Sequence, residues 1–307
     1  MRPPQRGEVL EAEERIRPHL PPTPVVASPS LAPGALLKLE AFQPTGSFKV
    51  RGALAALTRL APGGRIVAAS AGNHALGVAW AAATLGLEAA VVVPETASPA
   101  KLVALERLPV ELVRYGGTYD EAEGHALTLA AEGRCYVSAY NDPEVIAGGG
   151  TLALELPQGP LTIVCPVGGG GLCAGVALWA SQLPHAKVVG VEAEASRAVS
   201  SAIVAGRIDP VEVGPTLADG LAGNLEPGSV TVELVQRYVA ELVSVTEAEI
   251  EDAIRFLARE HGLVAEGAGA VATAALLAGK VAVTGHPVAL VTGRNVDPRT
   301  LARILAP

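Results

Sequence analysis

Aromatic side chains are scarce in this chain: three Phe, two Trp and five Tyr make up only 3% of its 307 residues. Few platforms remain on which nucleic-acid bases could stack. Positive charge is in deficit too, with 23 Lys and Arg against 31 Asp and Glu. A net charge of −8 gives no electrostatic reason to hold a phosphodiester backbone, so nucleic acid is not an expected partner. Cysteine is limited to Cys135, Cys165 and Cys173, which have neither metal-ligand nor redox-pair spacing. Cys135 and Cys165 fall in strand-like runs, where a free thiol is expected to be a small core residue. That usage fits a reducing, cytoplasmic location. The charged N-terminal stretch lacks a following apolar block, so no signal peptide is expected. Residues 159–186 carry no Asp, Glu, Lys or Arg, which is long enough to span a bilayer. Pro160, Pro166, four consecutive glycines and Pro184 interrupt them, however, and the stretch reads as a strand, a loop and a helix.

Half the residues are hydrophobic, which excludes disorder, and the length suffices for one large or two ordinary cores. Short apolar runs alternate with Ala/Leu-rich segments of helical period. Strands are expected at 35–40, 65–69, 88–93, 110–113, 135–137, 161–165, 187–191, 240–245 and 287–292. Helices are expected at 48–60, 73–86, 98–107, 118–132, 143–156, 172–183, 246–261 and 268–279, among others. This alternation predicts an α/β fold with mostly parallel strands, because parallel strands need helical crossovers. The strand runs are nearly continuously apolar, as when helices cover both sheet faces. The βα units of 61–144 form a block that would make a smaller domain. Residues 1–60 and 145–307 would then form a larger one, with a cleft between them.

The strongest local signal is Cys165-Pro166-Val167-Gly168-Gly169-Gly170-Gly171-Leu172. An apolar strand runs into four glycines and then a helix, a geometry that turns backbone N–H groups and a helix N-terminus toward an anion. A second loop, Ser70-Ala71-Gly72-Asn73-His74, joins a strand to a helix and offers a similar cradle. As a lone residue, His74 there reads as helix-terminus packing. The third element, Gln43-Pro44-Thr45-Gly46-Ser47-Phe48-Lys49-Val50-Arg51-Gly52-Ala53, ends in a helix whose first turn carries Lys49. A cation at a helix N-terminus opposes the macrodipole, which lowers an amine pKa and makes it a better nucleophile toward an aldehyde. A ligand bearing both a phosphate and a carboxylate would use both cradles.

The stretches PTGSFKVRGA, SAGNHALG, VGGGGLCAGVA and LVTGRNVD, in that order, resemble the serine/threonine dehydratase branch of fold-type-II pyridoxal-phosphate enzymes. Further similarity lies in DPEVIAGGGTLALEL (142–156), TLADGLAGN (216–224) and EGAGAVATAALL (266–277), so the resemblance covers about residues 20–300. It implies two open, mostly parallel twisted sheets flanked by helices, with the cofactor pyridoxal 5'-phosphate in the cleft between domains. The implied activity is elimination of water and ammonia from L-threonine or L-serine, giving 2-oxobutanoate or pyruvate. Lys49 would be the Schiff-base and proton-transfer residue, with Phe48 beside the cofactor ring. Gly168, Gly169, Gly170, Gly171 and Leu172 would hold the phosphate through backbone N–H groups, and Asn73 the phenolic oxygen. The loop Ser70, Ala71, Gly72, Asn73 and His74 would take the substrate carboxylate. Thr292 would face the pyridine nitrogen, where a neutral hydroxyl weakens the electron sink and favours loss of a β-leaving group. A homodimer or homotetramer is the expected assembly.

Departures from the resemblance matter as well. Relatives often read AGQG where this chain has Ala147-Gly148-Gly149-Gly150, so a glutamine is missing at Gly149. Racemase-like relatives bind a divalent ion near the end of KVVGVE. Glu192 matches one ligand there, but Ala198 replaces a carboxylate, leaving a metal in question. Those relatives also carry a serine where this chain has Ala71. Cysteine and threonine synthases usually have Lys-Asp-Arg where this chain has Lys49-Val50-Arg51. The chain ends soon after TGRN, so a regulatory effector domain is not expected. Two alternatives stay open: a serine racemase, and a nicotinamide-dependent oxidoreductase. The latter rests on Gly169-Gly170-Gly171-Leu172-Cys173-Ala174, which satisfies a GxGxxA fingerprint, and on Glu192 as the ribose-binding acid. It leaves PTGSFK and SAGNH unexplained.

Overall fold

The computed structural model describes residues 1–97 and 99–306. Ten strands form two sheets. The smaller sheet holds β3 (Arg65–Ala69), β4 (Glu88–Val93), β5 (Glu111–Arg114) and β6 (Cys135–Tyr136) in the order β5-β4-β3-β6, all parallel. The larger holds β1 (Val25–Ala27), β2 (Leu36–Leu39), β7 (Leu161–Pro166), β8 (Ala186–Ala193), β9 (Glu241–Val245) and β10 (His286–Val291). Its order is β1-β2-β10-β7-β8-β9, with only the β1–β2 pair antiparallel.

Successive residues of a strand feed opposite cores, which is why the runs are apolar throughout. Val164, Ala289 and Val291 pack with α10 (Glu247–His261) and α11 (Gly267–Leu277). Ile163, Cys165, Val288 and Leu290 pack with α7 (Gly171–Ala180) and α9 (Thr231–Tyr238) on the other face. The smaller sheet repeats the pattern. Val67 and Ala69 meet α5 (Tyr119–Ala131), while Ile66 and Ala68 meet α2 (Lys49–Leu57) and α3 (Asn73–Leu85). Helix α4 (Pro99–Leu105) covers Val91 and Val93; Ser98, where that helix was expected to begin, lies outside the described residues.

All nine expected strands form, and β1 is an addition: three residues held by antiparallel pairing to β2. Helices α1 (Arg6–Ile16), α8 (Ala198–Ala205), α9 and α12 (Pro298–Leu305) also lie outside the segments named from the sequence. The expected helix 143–156 is α6 (Pro143–Gly150) followed by a 3₁₀ turn, Thr151–Glu155. The tighter winding accompanies two contacts: Thr151 Oγ1 donates to Gly148 O at 2.7 Å and accepts from Arg51 Nη1 at 3.2 Å. Cys165 is fully buried. Cys135 is not the core residue expected from its apolar run; it is exposed on β6, the two-residue edge strand of its sheet.

Helices α2, α6 and α7 approach closely through small residues. A Cβ at Gly148 would lie 2.6 Å from Arg51 O, and one at Gly175 would collide with Ile146 O. Gly149 is different, because a Cβ there would meet Leu172 Cα at an ordinary 3.6 Å. The absence of glutamine at that position is therefore not demanded by packing. We expect Gly175→Ala to destabilise the fold by about 1–3 kcal/mol or more through overpacking. Gly149→Ala, in a helix interior, should be neutral or stabilising by up to about 1 kcal/mol. Chemical denaturation of the two variants checks the contrast, and equal losses would contradict the packing described.

Candidate active site

Three helix N-termini and the end of β10 meet around Lys49. Lys49 is the first residue of α2, and its Nζ donates to Ala139 O at 2.8 Å, 5.3 Å from the centre of the Phe48 ring. Burial lowers its amine to about 8, against which the negative charge of Glu266 pushes upward. The uncharged fraction near neutrality is then far above that of an ordinary lysine, as a nucleophile toward a carbonyl requires. Lys38 is the contrasting buried lysine. Its Nζ donates to Thr23 O at 2.7 Å and pairs with Glu155, with Glu40 at 3.8 Å. It is occupied in a structural network.

The loop before Lys49 is stitched to the end of β10. Phe48 N–H donates to Thr292 O at 3.0 Å, Arg294 N–H to Gly46 O at 2.9 Å, and Ser47 bridges Gly293. Thr292 is buried, its hydroxyl 3.5 Å from Ala268 O. Ser47 is buried as well, and its hydroxyl has no partner among the described residues.

Helix α3 begins beside α2. A Cβ at Gly77 would lie 3.1 Å from the carbonyl of Lys49, so this glycine sets how closely the two helix starts can sit. Ser70 Oγ accepts from Gly72 N–H at 3.1 Å, and Leu76 N–H reaches Gly72 O at 3.2 Å. The N–H groups of Ala71, Asn73, His74 and Ala75 find no acceptor among the described residues, leaving an anion-ready helix start. The His74 ring faces away from this task. Its Nε2–H donates to Val137 O at 2.9 Å, and burial first, then Lys49, lower its pKa to about 3, so the ring stays neutral. Asn73 donates from Nδ2 to Glu266 Oε1 and accepts at Oδ1 from Asn295, both at 2.6 Å.

The glycine loop closes the third side. Gly170, with φ of 84°, precedes α7. A Cβ at Gly168 would lie 2.9 Å from Leu221 Cα, and one at Gly171 would lie 2.7 Å from Tyr140 O. The first backbone-to-backbone bond of the turn is Ala174 N–H to Gly170 O at 2.8 Å. The N–H groups of Gly168 through Cys173 therefore have no acceptor among the described residues, and Leu172 sits buried at the helix start. Such a cradle fits a phosphate monoester without any cationic side chain. With the desolvated lysine nearby, the donor set fits pyridoxal 5'-phosphate.

Four contributors were not singled out from the sequence. Ala139 supplies the carbonyl on Lys49, Tyr140 packs against the glycines, and Glu266 and Asn295 hold Asn73. Glu266 and Asn295 do lie within the quoted stretches EGAGA and TGRN, but their contacts join motifs far apart in the chain. Glu192 has a structural duty. Its Oε1 accepts from the N–H groups of Val199 and Ser200 at 3.0 and 3.3 Å at the start of α8, and burial raises its pKa. Among the described residues no group of three or more His, Cys, Asp or Glu is placed to hold a metal ion.

Reductive methylation of the cofactor-free protein across pH tests the electrostatics. We expect Lys49 to react with a midpoint near 8, well below an ordinary lysine. Glu266→Gln should move that midpoint lower, because the charge it removes favours the ammonium form. A midpoint near 10.5 would show that the amine is not desolvated.

A family model described as pyridoxal-phosphate dependent enzyme matches residues 16–293. An L-threonine ammonia-lyase of Thermotoga maritima is 44% identical over 279 residues, 88% of this chain and 69% of that protein. A catabolic L-threonine dehydratase of Staphylococcus aureus is 38% identical over 308 residues, 95% of this chain and 89% of that one. Among solved structures, maize serine racemase superposes with a TM-score of 0.91 at 29% identity, covering 98% of this chain and 97% of that one. A threonine deaminase of tomato, Solanum lycopersicum, does so with 0.86 at 30% identity, covering 99% and 94%. The nicotinamide reading gives way to a match that spans every motif, not the glycine loop alone. The chain belongs to the pyridoxal-phosphate-dependent enzymes, in the fold-type-II architecture.

Proposed function

We propose that this chain is an ammonia-lyase acting on L-threonine and L-serine, and that Lys49 is its catalytic residue. The observation that carries the reading is the desolvated Lys49 amine, lowered to about 8, set among three helix N-termini. Residues 61–144 are read as the smaller domain and 1–60 with 145–307 as the larger, the cleft lying between. A cytoplasmic homodimer or homotetramer is part of the same proposal. Within the described residues no helix is long and apolar enough to cross a membrane.

Bound pyridoxal phosphate supplies an electron sink conjugated to the substrate nitrogen, which acidifies the substrate Cα–H. The N–H groups of Gly168 to Leu172 would hold its phosphate, Phe48 would flank its ring and Asn73 would donate to its phenolic oxygen. Ser70, Ala71, Gly72, Asn73 and His74 hold the substrate carboxylate at the start of α3, the last two through backbone N–H. Lys49 Nζ, largely desolvated and able to exist as the free amine, would be the base that takes the substrate Cα proton. Thr292 would offer the ring nitrogen a neutral hydroxyl where a carboxylate would keep it charged, which weakens the electron sink and favours expulsion of the β-hydroxyl. The β-hydroxyl would leave as water with the proton returned by the Lys49 ammonium, and hydrolysis of the released enamine would give 2-oxobutanoate and ammonia from threonine, or pyruvate and ammonia from serine. Lys49→Ala should reduce both products to background while the fold survives. Borohydride reduction and peptide mapping should put the cofactor on Lys49; finding it on Lys38 or Lys101 would remove the assignment.

Likeness to a serine racemase favours a second reading, and Ala71 speaks against it. Racemisation needs an acid–base group on each face of the substrate carbanion. Lys49 serves one face, and where racemase-like relatives have a serine this chain has a methyl. Proton return must therefore come from Lys49 on the original face. In heavy water, L-serine should give pyruvate with little D-serine, measured by chiral chromatography. D-serine formed as fast as pyruvate would show a second-face acid and make the enzyme a racemase.

A further inference from the structure

Four stretches of the chain meet in one hydrogen-bonded relay. Asn295 Nδ2 donates to Thr45 O at 2.8 Å and to Asn73 Oδ1 at 2.6 Å, and Asn73 Nδ2 donates to Glu266 Oε1 at 2.6 Å. An amide side chain can be turned either way, and its nitrogen and oxygen differ little in shape. Here both ends of the relay are acceptors only: a backbone carbonyl at Thr45 and a carboxylate at Glu266. Reversing Asn295 would face its oxygen toward the Thr45 carbonyl. Reversing Asn73 would face oxygen toward the carboxylate. One polarity satisfies every contact. It uses both hydrogens of Asn295 Nδ2 and one of Asn73 Nδ2, which leaves Asn73 a single N–H to offer.

The backbone is shaped to admit this relay. Gly46 has φ of 74°, and a Cβ on it would collide with the Asn295 amide. A Cβ on Gly293 would collide with Glu266 Oε1 and lie 3.4 Å from Asn73 Nδ2. Glu266 N–H donates to Gly293 O at 3.1 Å, fixing the carboxylate's own residue to the same turn. Glu266 is 7% exposed, a costly place for a carboxylate that did not accept bonds.

We propose that Glu266 and Asn295 are positioning residues that lock the Asn73 amide as a donor to the cofactor's phenolic oxygen, reaching that oxygen through Asn73. The proposal rests on the reading of the cleft as a pyridoxal-phosphate site with Lys49 as its lysine. A fixed donor stabilises the phenolate form of the bound cofactor, which absorbs in the visible. A freely turning amide lets the neutral phenol form, which absorbs in the near ultraviolet, become populated.

The test is a double-mutant cycle on the holoenzyme, read by absorbance and by cofactor dissociation. Asn295→Ala and Glu266→Met should each shift absorbance toward the near ultraviolet. Each should also weaken cofactor retention about tenfold, the worth of a hydrogen bond to a charged oxygen. Neither substitution should add to the loss already produced by Asn73→Ala, because coupled residues are not additive. Glu266→Gln keeps an acceptor oxygen and should retain the visible band. Circular dichroism checks folding, and the exposed Asn295 carries the test if Glu266→Met does not fold. The proposal is overturned by wild-type spectra in both single variants, or by full-sized effects persisting in the Asn73→Ala background. Equal damage from Glu266→Gln and Glu266→Met would also overturn it, since charge and not orientation would then matter. Borohydride mapping of the wild-type protein separates the two levels. Cofactor absent from Lys49 defeats the site reading itself, whereas cofactor on Lys49 with additive variants defeats the relay alone.

Discussion

A helix that opens Lys49-Val50-Arg51 places two cations at its own positive end, and the fold treats them in opposite ways. Arg51, 1% exposed, is bound by Glu40 through Nε and Nη2 at 2.7 and 2.8 Å and by Glu155 at 2.6 Å. Lys38 completes a buried group of two cations and two anions, all among β2, α2 and the turns beside them. Inside protein such a group is tolerated because its charges balance and its polar atoms are paired. These carboxylates hold Arg51 firmly in its charged form. Lys49 has no share in that balance. Its neighbours are a carbonyl, an aromatic ring and the more distant influence of Glu266, so burial works on it almost unopposed. One cation anchors the helix, and the other becomes the amine that chemistry can use.

The second constraint is close approach. The site exists where three helix starts converge, and bulky residues would hold them apart. Gly77 brings α3 against the beginning of α2, Gly148 brings α6 against α2, and Gly175 brings α7 against α6. Each of these glycines is met by backbone atoms, which cannot swing aside as a flexible side chain can. The Ala-rich helices continue the same economy of volume, with α11 buried along nearly its whole length.

How far the sequence reveals this depends on the range of each interaction. Strands buried on both faces announce themselves as apolar runs, and nine were legible. Strand β1 was not, because two half-buried valines and an exposed alanine after PPTP have no pattern until β2 pairs with them. Helices α1 and α12 lie at the surface with short or charged sequences, and amphipathic segments of that length are weak signals. In the site, each loop advertised an anion cradle by its glycines and caps. What stayed hidden was side-chain direction. Nothing in SAGNH shows that the His74 ring turns to Val137, or that the Asn73 amide is shared with residues some two hundred positions away. Those facts belong to the assembly of the motifs, not to any one of them.

The choice of backbone over side chains for binding anions follows from the needs of Lys49. An arginine or lysine in the phosphate cradle would put a full charge near the amine and depress it further, making it a poorer base for the Cα proton. Glycine N–H groups and helix termini spread smaller partial charges over a wider surface. In the proposed site they would bind a phosphate and a carboxylate at the loops before α7 and α3 without contesting the proton. Glu266 then offsets part of what burial takes away. The amine settles near 8, low enough to attack a carbonyl and high enough to accept a proton from carbon. A site that must both form and break bonds at one nitrogen is served by that intermediate value, and it needs a cleft free of other cations.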